Sequence, residues 1–175
     1  MNFLVISDSH RRRDNIAKAA KRCAPLDAIL YLGDGTDDFD DKYSYNGTPL
    51  FLVRGNCDFF ENEQDVPSER VLHFEEYTIM MTHGHLLDVE PTYFEKAAAR
   101  AAELGADILL FGHTHFPLEK YLAAGTEVCG VTIEKPLYVF NPGSIGRLRS
   151  DTGFKYYFGT MSLLGKDVIF GHGTL

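Results

Sequence analysis

The chain is punctuated by short apolar runs that stop abruptly at polar residues, and this pattern limits what it can fold into. Residues 3–6 halt at Ser7-Asp8-Ser9-His10, and residues 28–32 at Gly33-Asp34-Gly35-Thr36-Asp37. Residues 50–53 run into Gly55-Asn56-Cys57-Asp58, residues 78–82 into His83-Gly84-His85, and residues 108–111 into Gly112-His113-Thr114-His115. Runs this short with little polar alternation read as strands covered on both faces. Asp14 opens a helix through Ile16, Ala17, Ala19, Ala20 and Cys23 that ends before Pro25. A second helix is expected from Glu90-Pro91-Thr92 through Phe94, Ala97, Ala98, Ala101, Ala102 and Leu104, closed by Gly105. Residues 38–47 read as a short helix or a loop. Residues 71–74 and 78–82 read as two strands joined by a tight turn.

Beyond His115 no helical pattern remains. Residues 119–123, 128–133, 137–140, 154–161 and 167–170 are strand candidates between Gly-rich turns, so an α/β first part leads into a β-rich, antiparallel end. At 175 residues a single domain spanning 1–175 is expected.

Ligands of α/β sheets bind outside the carboxyl ends of the strands. Five polar clusters therefore converge on one edge. Residues two apart in extended chain face the same side, so His113 and His115 can point at one spot; a lone His-x-His is otherwise an exposed turn. Asp8, His10, Asp34, Asn56, His83, His113 and His115 form a mixed nitrogen and oxygen set. Such a set suits Mn, Fe, Zn or Co rather than Ca or a sulfur cluster. Seven ligands exceed one tetrahedral site and suit two metals sharing a carboxylate.

The order Asp-x-His, Gly-Asp-x-x-Asp, Gly-Asn-x-Asp, His-Gly-His, Gly-His-x-His resembles the calcineurin-like metallophosphoesterase superfamily. Asn141-Pro142-Gly143-Ser144 resembles its small single-domain bacterial and archaeal phosphodiesterase branch. The resemblance covers roughly residues 3–146 and implies a four-layer α/β/β/α sandwich, two mixed β-sheets flanked by helices. It implies that Asp8, His10 and His115 hold one divalent metal, that Asn56, His83 and His113 hold another, and that Asp34 bridges them. Manganese is the first expectation, with Ni, Zn, Fe, Co or Mg as alternatives. The implied reaction is in-line attack on a phosphate diester by a hydroxide shared between the metals. Asp34, Asn56 and His85 are its catalytic candidates, and Arg147, Asn56 and His85 its substrate contacts.

One position departs from the pattern. Many members carry a proton-donating His where this chain has Cys57, which favours activated diesters and leaves Asp58 or His85 as substitute donors. Two alternatives stand beside the diesterase: a phosphomonoesterase with the same site, and a protein-interaction scaffold resembling the retromer sorting subunit. A scaffold would be free to lose Asp34 or Asn56.

A formal net charge of −8 argues against a general nucleic-acid or membrane-surface binder, but not against a small phosphate ester. Three scattered cysteines and an N-terminal apolar run too short for a signal-peptide core point to a reduced, cytoplasmic setting. An exposed strand edge in the last third favours a homodimer. Asp37 either closes its own turn or orients a ligand, and His73 and His172 read as structural. Residues 141–144 are a tight turn or a loop over the site. Arg147 and Arg149 are a surface pair or phosphate contacts.

Overall fold

The structure, a computed structural model, describes residues 1–59, 61–62 and 64–175. Its elements run β1 (Asn2–Ile6), α1 (Arg13–Cys23), β2 (Ala28–Tyr31), β3 (Ser44–Tyr45), β4 (Thr48–Leu52), β5 (Glu69–Phe74) and β6 (Tyr77–Thr82). They continue with α2 (Glu95–Glu103), β7 (Ile108–Phe111), β8 (Leu118–Leu122), β9 (Glu127–Val128), β10 (Val131–Thr132), β11 (Leu137–Asn141), β12 (Tyr157–Leu164) and β13 (Asp167–Thr174). One sheet has the order β13-β12-β1-β2-β4-β3, and the other β5-β6-β7-β11-β8. Both are mixed. β1, β2 and β4 run parallel, as do β6, β7 and β11, while the outer strands pair antiparallel.

Strand alternation explains why the apolar runs are unbroken. In β1, Phe3 and Val5 join Leu30, Met81, Leu110 and Met161 in the core between the sheets. Leu4 and Ile6 face the other way and pack with Ile29, Tyr31, Ile16 and Ala19 under α1. On the second sheet Met80, Leu109, Phe111 and Val139 meet Ala97, Ala98 and Ala101 of α2. The result is the expected helix, sheet, sheet, helix stack. Each central strand buries both faces, so neither face tolerates polar alternation.

Four elements differ from the sequence reading. α2 begins at Glu95 rather than Glu90, because Glu90 and Tyr93 pair with each other in an isolated bridge, with N–H···O distances of 2.7 and 3.1 Å. The ambiguous segment contains the β3–β4 hairpin, whose Asn46-Gly47 turn has both φ angles positive, at 51° and 82°. The 128–133 candidate splits at Cys129-Gly130, φ 49° and 77°, into the β9–β10 hairpin. β12 starts at Tyr157 because Phe154 sits at φ 53°, outside the extended region. Among the described residues no helix is long and apolar enough to cross a membrane.

Candidate metal centre

The parallel runs put the ends of β1, β2 and β4 at one edge of the first sheet, opposite the ends of β6 and β7. At those ends the chain bends sharply. Asp8, His10, Asp34, His113 and His115 all adopt left-handed backbone, with φ between 43° and 64°. Such residues cost about 1–3 kcal/mol each and persist only where the surroundings fix them. Here they are fixed: Asp8 N–H donates to Gly33 O at 2.9 Å and His10 N–H to Asp34 O at 3.2 Å. Across the sheets, His113 N–H donates to Asp8 Oδ2 at 3.2 Å. Close approach also demands glycine at Gly112 and Gly55. A Cβ on Gly112 would stand 2.0 Å from Ser7 Oγ, and one on Gly55 would stand 2.1 Å from Asp34 Oδ1.

Asp8 is fully buried, and its Oδ1 accepts no hydrogen bond. Around that oxygen stand three imidazole nitrogens: His115 Nε2 at 3.1 Å, His10 Nε2 at 3.9 Å and His83 Nε2 at 3.9 Å. Asp34 faces two ways, Oδ1 toward His83 Nε2 at 3.5 Å and Oδ2 toward His10 Nε2 at 4.0 Å. Asn56 Oδ1 lies 3.2 Å from His83 Nε2. The His83 ring centroid is 5.1 Å from that of His113 and 5.4 Å from that of His85. Two tight donor groups are Asp8/His10/His115 and Asp8/Asp34/His83, with Asn56, His113 and His85 beside the second, and a third among the described residues joins His10, Asp34 and Cys57. An orphaned buried carboxylate oxygen ringed by imidazole nitrogens is what a cation satisfies. The donor set therefore fits divalent metal.

Protonation follows the same geometry. Burial alone would raise the Asp8 carboxyl, but His83 and His115 outweigh it and hold it below the ordinary value. Asp34 is lowered in the same way, by His83 and by the N–H of Cys57, which donates to Oδ1 at 2.7 Å. Burial would lower His83, yet Asp8 and Asp34 raise it. His10, His85 and His113 are lowered, chiefly by burial. His83 Nδ1 lies 2.6 Å from Leu32 O. A proton on Nδ1 then leaves the Nε2 lone pair facing the carboxylates.

Four residues that sequence reasoning undervalued hold these loops. Asp58, offered as a proton donor, is instead a buried clamp. Its carboxylate accepts the backbone N–H groups of Asp34, Gly35, Thr36 and Gly55 at 2.7–3.0 Å. Asp38, not the exposed Asp37, serves the β1 loop, accepting Ser9 Oγ at 2.6 Å and Arg11 N–H at 3.0 Å. Asn141 donates through Nδ2 to Gly112 O at 2.8 Å, and Ser144 Oγ donates to Asp8 O at 2.9 Å. The 141–144 turn is therefore a buried clasp behind the site rather than a cover over it. The Gly-Asn-x-Asp spacing already contained the Asp58 signal.

The sequence profile of the calcineurin-like phosphoesterase superfamily domain matches residues 1–163. The chain belongs to that superfamily. A probable metallophosphoesterase of Bacillus subtilis, YsnB, is 36% identical over 146 residues, 83% of this chain and 75% of YsnB. The crystal structure of a predicted phosphoesterase from Streptococcus pneumoniae TIGR4 superposes with a TM-score of 0.73 at 25% identity. The match covers 99% of this chain and 88% of that one. Chaetomium thermophilum Vps29 superposes at 0.69 with 20% identity, covering 99% of this chain and 96% of its own; this likeness shows the fold alone.

In this phosphoesterase the rim residues divide. Arg149 is engaged, donating to Thr114 O at 2.9 Å and to both carboxylate oxygens of Asp151 at 2.7 and 2.8 Å. Arg147 is exposed and lines a cleft of about 300 Å³ together with His10, Arg11, Asp34, Cys57 and Phe59. Cys57 is exposed, and its thiol is pushed up to about 11 by partial burial and the Asp34 carboxylate. A thiol held protonated in this way is no nucleophile at neutral pH.

Proposed function

We propose that this phosphoesterase is a phosphodiesterase working with two divalent cations. Asp8, His10 and His115 would hold one cation; Asn56, His83 and His113 would hold the other, with one Asp34 oxygen turned toward each group. Bound there, the pair would supply Lewis acidity toward phosphoryl oxygens and toward water. The chain's own residues do the rest. Asn56 Oδ1 faces His83, and its Nδ2, which donates to Cys57 Sγ at 3.5 Å, has a second N–H for a phosphoryl oxygen. His85, lowered by burial and by His83 and His113, is neutral at pH 7 and can exchange a hydrogen bond with substrate. Arg147 adds charge at the rim, and the Asp58 clamp and the 141–144 clasp keep the loops in register.

The observation that carries the diester reading is a pair of depressions meeting at His10 and Arg147. One is the cleft with Arg11, Cys57 and Phe59. The other, about 400 Å³ and more open, is lined by Arg12, Gly146, Leu148 and Tyr156. A phosphate placed between them has room for a substituent on each side, which a monoester does not use. Cys57 in place of a histidine favours leaving groups that need no strong acid. The Vps29 likeness offers a scaffold reading only the fold, whereas the phosphodiesterase reading uses every member of the donor set.

The test compares bis-p-nitrophenyl phosphate with p-nitrophenyl phosphate, using metal-stripped protein reloaded with Mn, Ni, Co, Zn or Mg. Metal-dependent cleavage favouring the diester is expected. Preference for the monoester, or no cleavage of either ester with any metal, overturns the reading.

A further inference from the structure

Phe59 is the most exposed of the large apolar side chains among the described residues, at 82%. A single exposed ring is ordinary in itself; its place on the wall of the cleft is what gives it a use. The described residues on either side of Phe59 are hydrogen-bonded. One residue before it, Asp58 is clamped by four backbone N–H groups. Two residues after it, Glu61 N–H donates to Asp58 O at 3.2 Å, Glu61 O accepts from Arg54 at 3.3 Å, and the Glu61 carboxylate pairs with Lys42. Asn62 Oδ1 then accepts the N–H groups of Gln64 and Asp65, each at 3.0 Å.

An exposed aromatic ring therefore stands on the wall of the cleft that is also lined by His10 and Asp34 of the metal centre and by Arg11 and Arg147. Arg11 donates only its backbone N–H, to Asp38, and among the described residues neither arginine side chain is paired with an acid. Cations and one aromatic face arranged around a phosphate site match an anion whose ester arm is a flat π-system. A face of that kind accepts any planar ring, because stacking does not depend on a particular hydrogen-bond pattern.

We propose that Phe59 is a specificity-determining residue: it stacks the planar aromatic substituent, aryl or nucleobase, of the phosphodiester, while Arg11 and Arg147 meet the phosphate. This rests on the phosphodiesterase reading and names one arm of its substrate. The second arm lies toward Arg12 and Tyr156, whose ring is 6.0 Å from the Arg12 guanidinium.

The test separates ring recognition from turnover. Inhibition constants are measured for phenylphosphonate, thymidine 5′-monophosphate and methylphosphonate on the metal-loaded wild-type chain and on Phe59→Ala, Phe59→Leu and Phe59→Tyr. Stacking predicts that phenylphosphonate binds about tenfold tighter than methylphosphonate in the wild type. That ratio should fall to about one in Phe59→Ala, stay low in Phe59→Leu, which keeps apolar bulk without a ring, and survive in Phe59→Tyr. Thymidine 5′-monophosphate tighter than phenylphosphonate assigns the arm to a nucleobase; the reverse assigns it to an aryl group.

Should the protein turn over neither ester, a second measurement still decides. The chain contains no tryptophan, so Phe59→Trp places a single indole in the cleft. Its fluorescence should respond to phenylphosphonate or thymidine 5′-monophosphate and not to methylphosphonate. Equal binding of phenyl and methyl ligands by the wild type, a ratio that persists in Phe59→Ala, or an indole indifferent to the aromatic ligands overturns the proposal.

Discussion

At the scale of single residues, the site is a set of compromises made in the backbone and in protonation. Five of the seven proposed ligands occupy left-handed backbone, where a residue with a Cβ is strained. His83 shows the electrostatic side. Asp8 and Asp34 raise it despite burial, so the metal-free ring keeps its second proton more readily than a free imidazole. Metal binding needs the Nε2 lone pair, and therefore expels that proton. Affinity should rise with pH, by up to about tenfold per unit below the His83 pKa, and flatten above it. His10 and His113 are lowered, chiefly by burial, and so contribute less to this release than His83. Calorimetry in two buffers of different ionisation enthalpy should find proton release on filling the site, and more of it as the pH is lowered. No proton release would show that His83 is not a ligand. The ligand identities were legible in the sequence because each polar cluster directly follows an apolar run. The left-handed turns were not, since Asp and His carry no local signal as firm as glycine's.

At the scale of elements, what counts is how loops from different strands are tied. The loops after β2 and β4 share one acceptor, Asp58, and the loops after β1, β7 and β11 share the Asn141 and Ser144 clasp. Asp58→Ala would leave four backbone N–H groups without their acceptor, and buried donors left unpaired are costly. A loss of roughly 2–4 kcal/mol in unfolding free energy is expected, less for Asp58→Asn, which keeps one oxygen. Denaturant midpoints measure it, and a change within about 0.5 kcal/mol would show that water replaces the clamp. These ties explain which elements the sequence disclosed. The Asn46-Gly47 hairpin was read only as a short helix or loop, and the Cys129-Gly130 break was read through as one strand, although Asn-Gly is a type I′ turn signal. The late start of α2 was hidden because the Glu90–Tyr93 bridge is a local pairing that Pro91 as a helix opener obscures. Tertiary clamps such as Asp58 look like any acid in a loop until the loops are seen to touch.

At the scale of the molecule, the proposed ligands come from both sheets: Asp8, His10, Asp34 and Asn56 from the ends of β1, β2 and β4, and His83, His113 and His115 from the ends of β6 and β7. Cations there would join two layers that otherwise meet through apolar packing and a few hydrogen bonds such as His113 N–H to Asp8. Because the unfolded chain cannot assemble the donor set, binding is linked to folding. Metal at one hundred times its dissociation constant should add about 2.7 kcal/mol per site. For a chain of this length that corresponds to about 5–10 °C in Tm per site filled. Thermal melts across a metal titration, with a chelator-treated reference, measure the increment. Asp34 faces both donor groups, so Asp34→Asn should lose turnover and most of the metal-dependent rise while its metal-free melt stays close to that of the parent chain. A variant that kept both would place the cations elsewhere. One whose metal-free melt collapsed would make Asp34 a folding residue first, its carboxylate needed by Cys57 N–H and His83 even before any metal arrives.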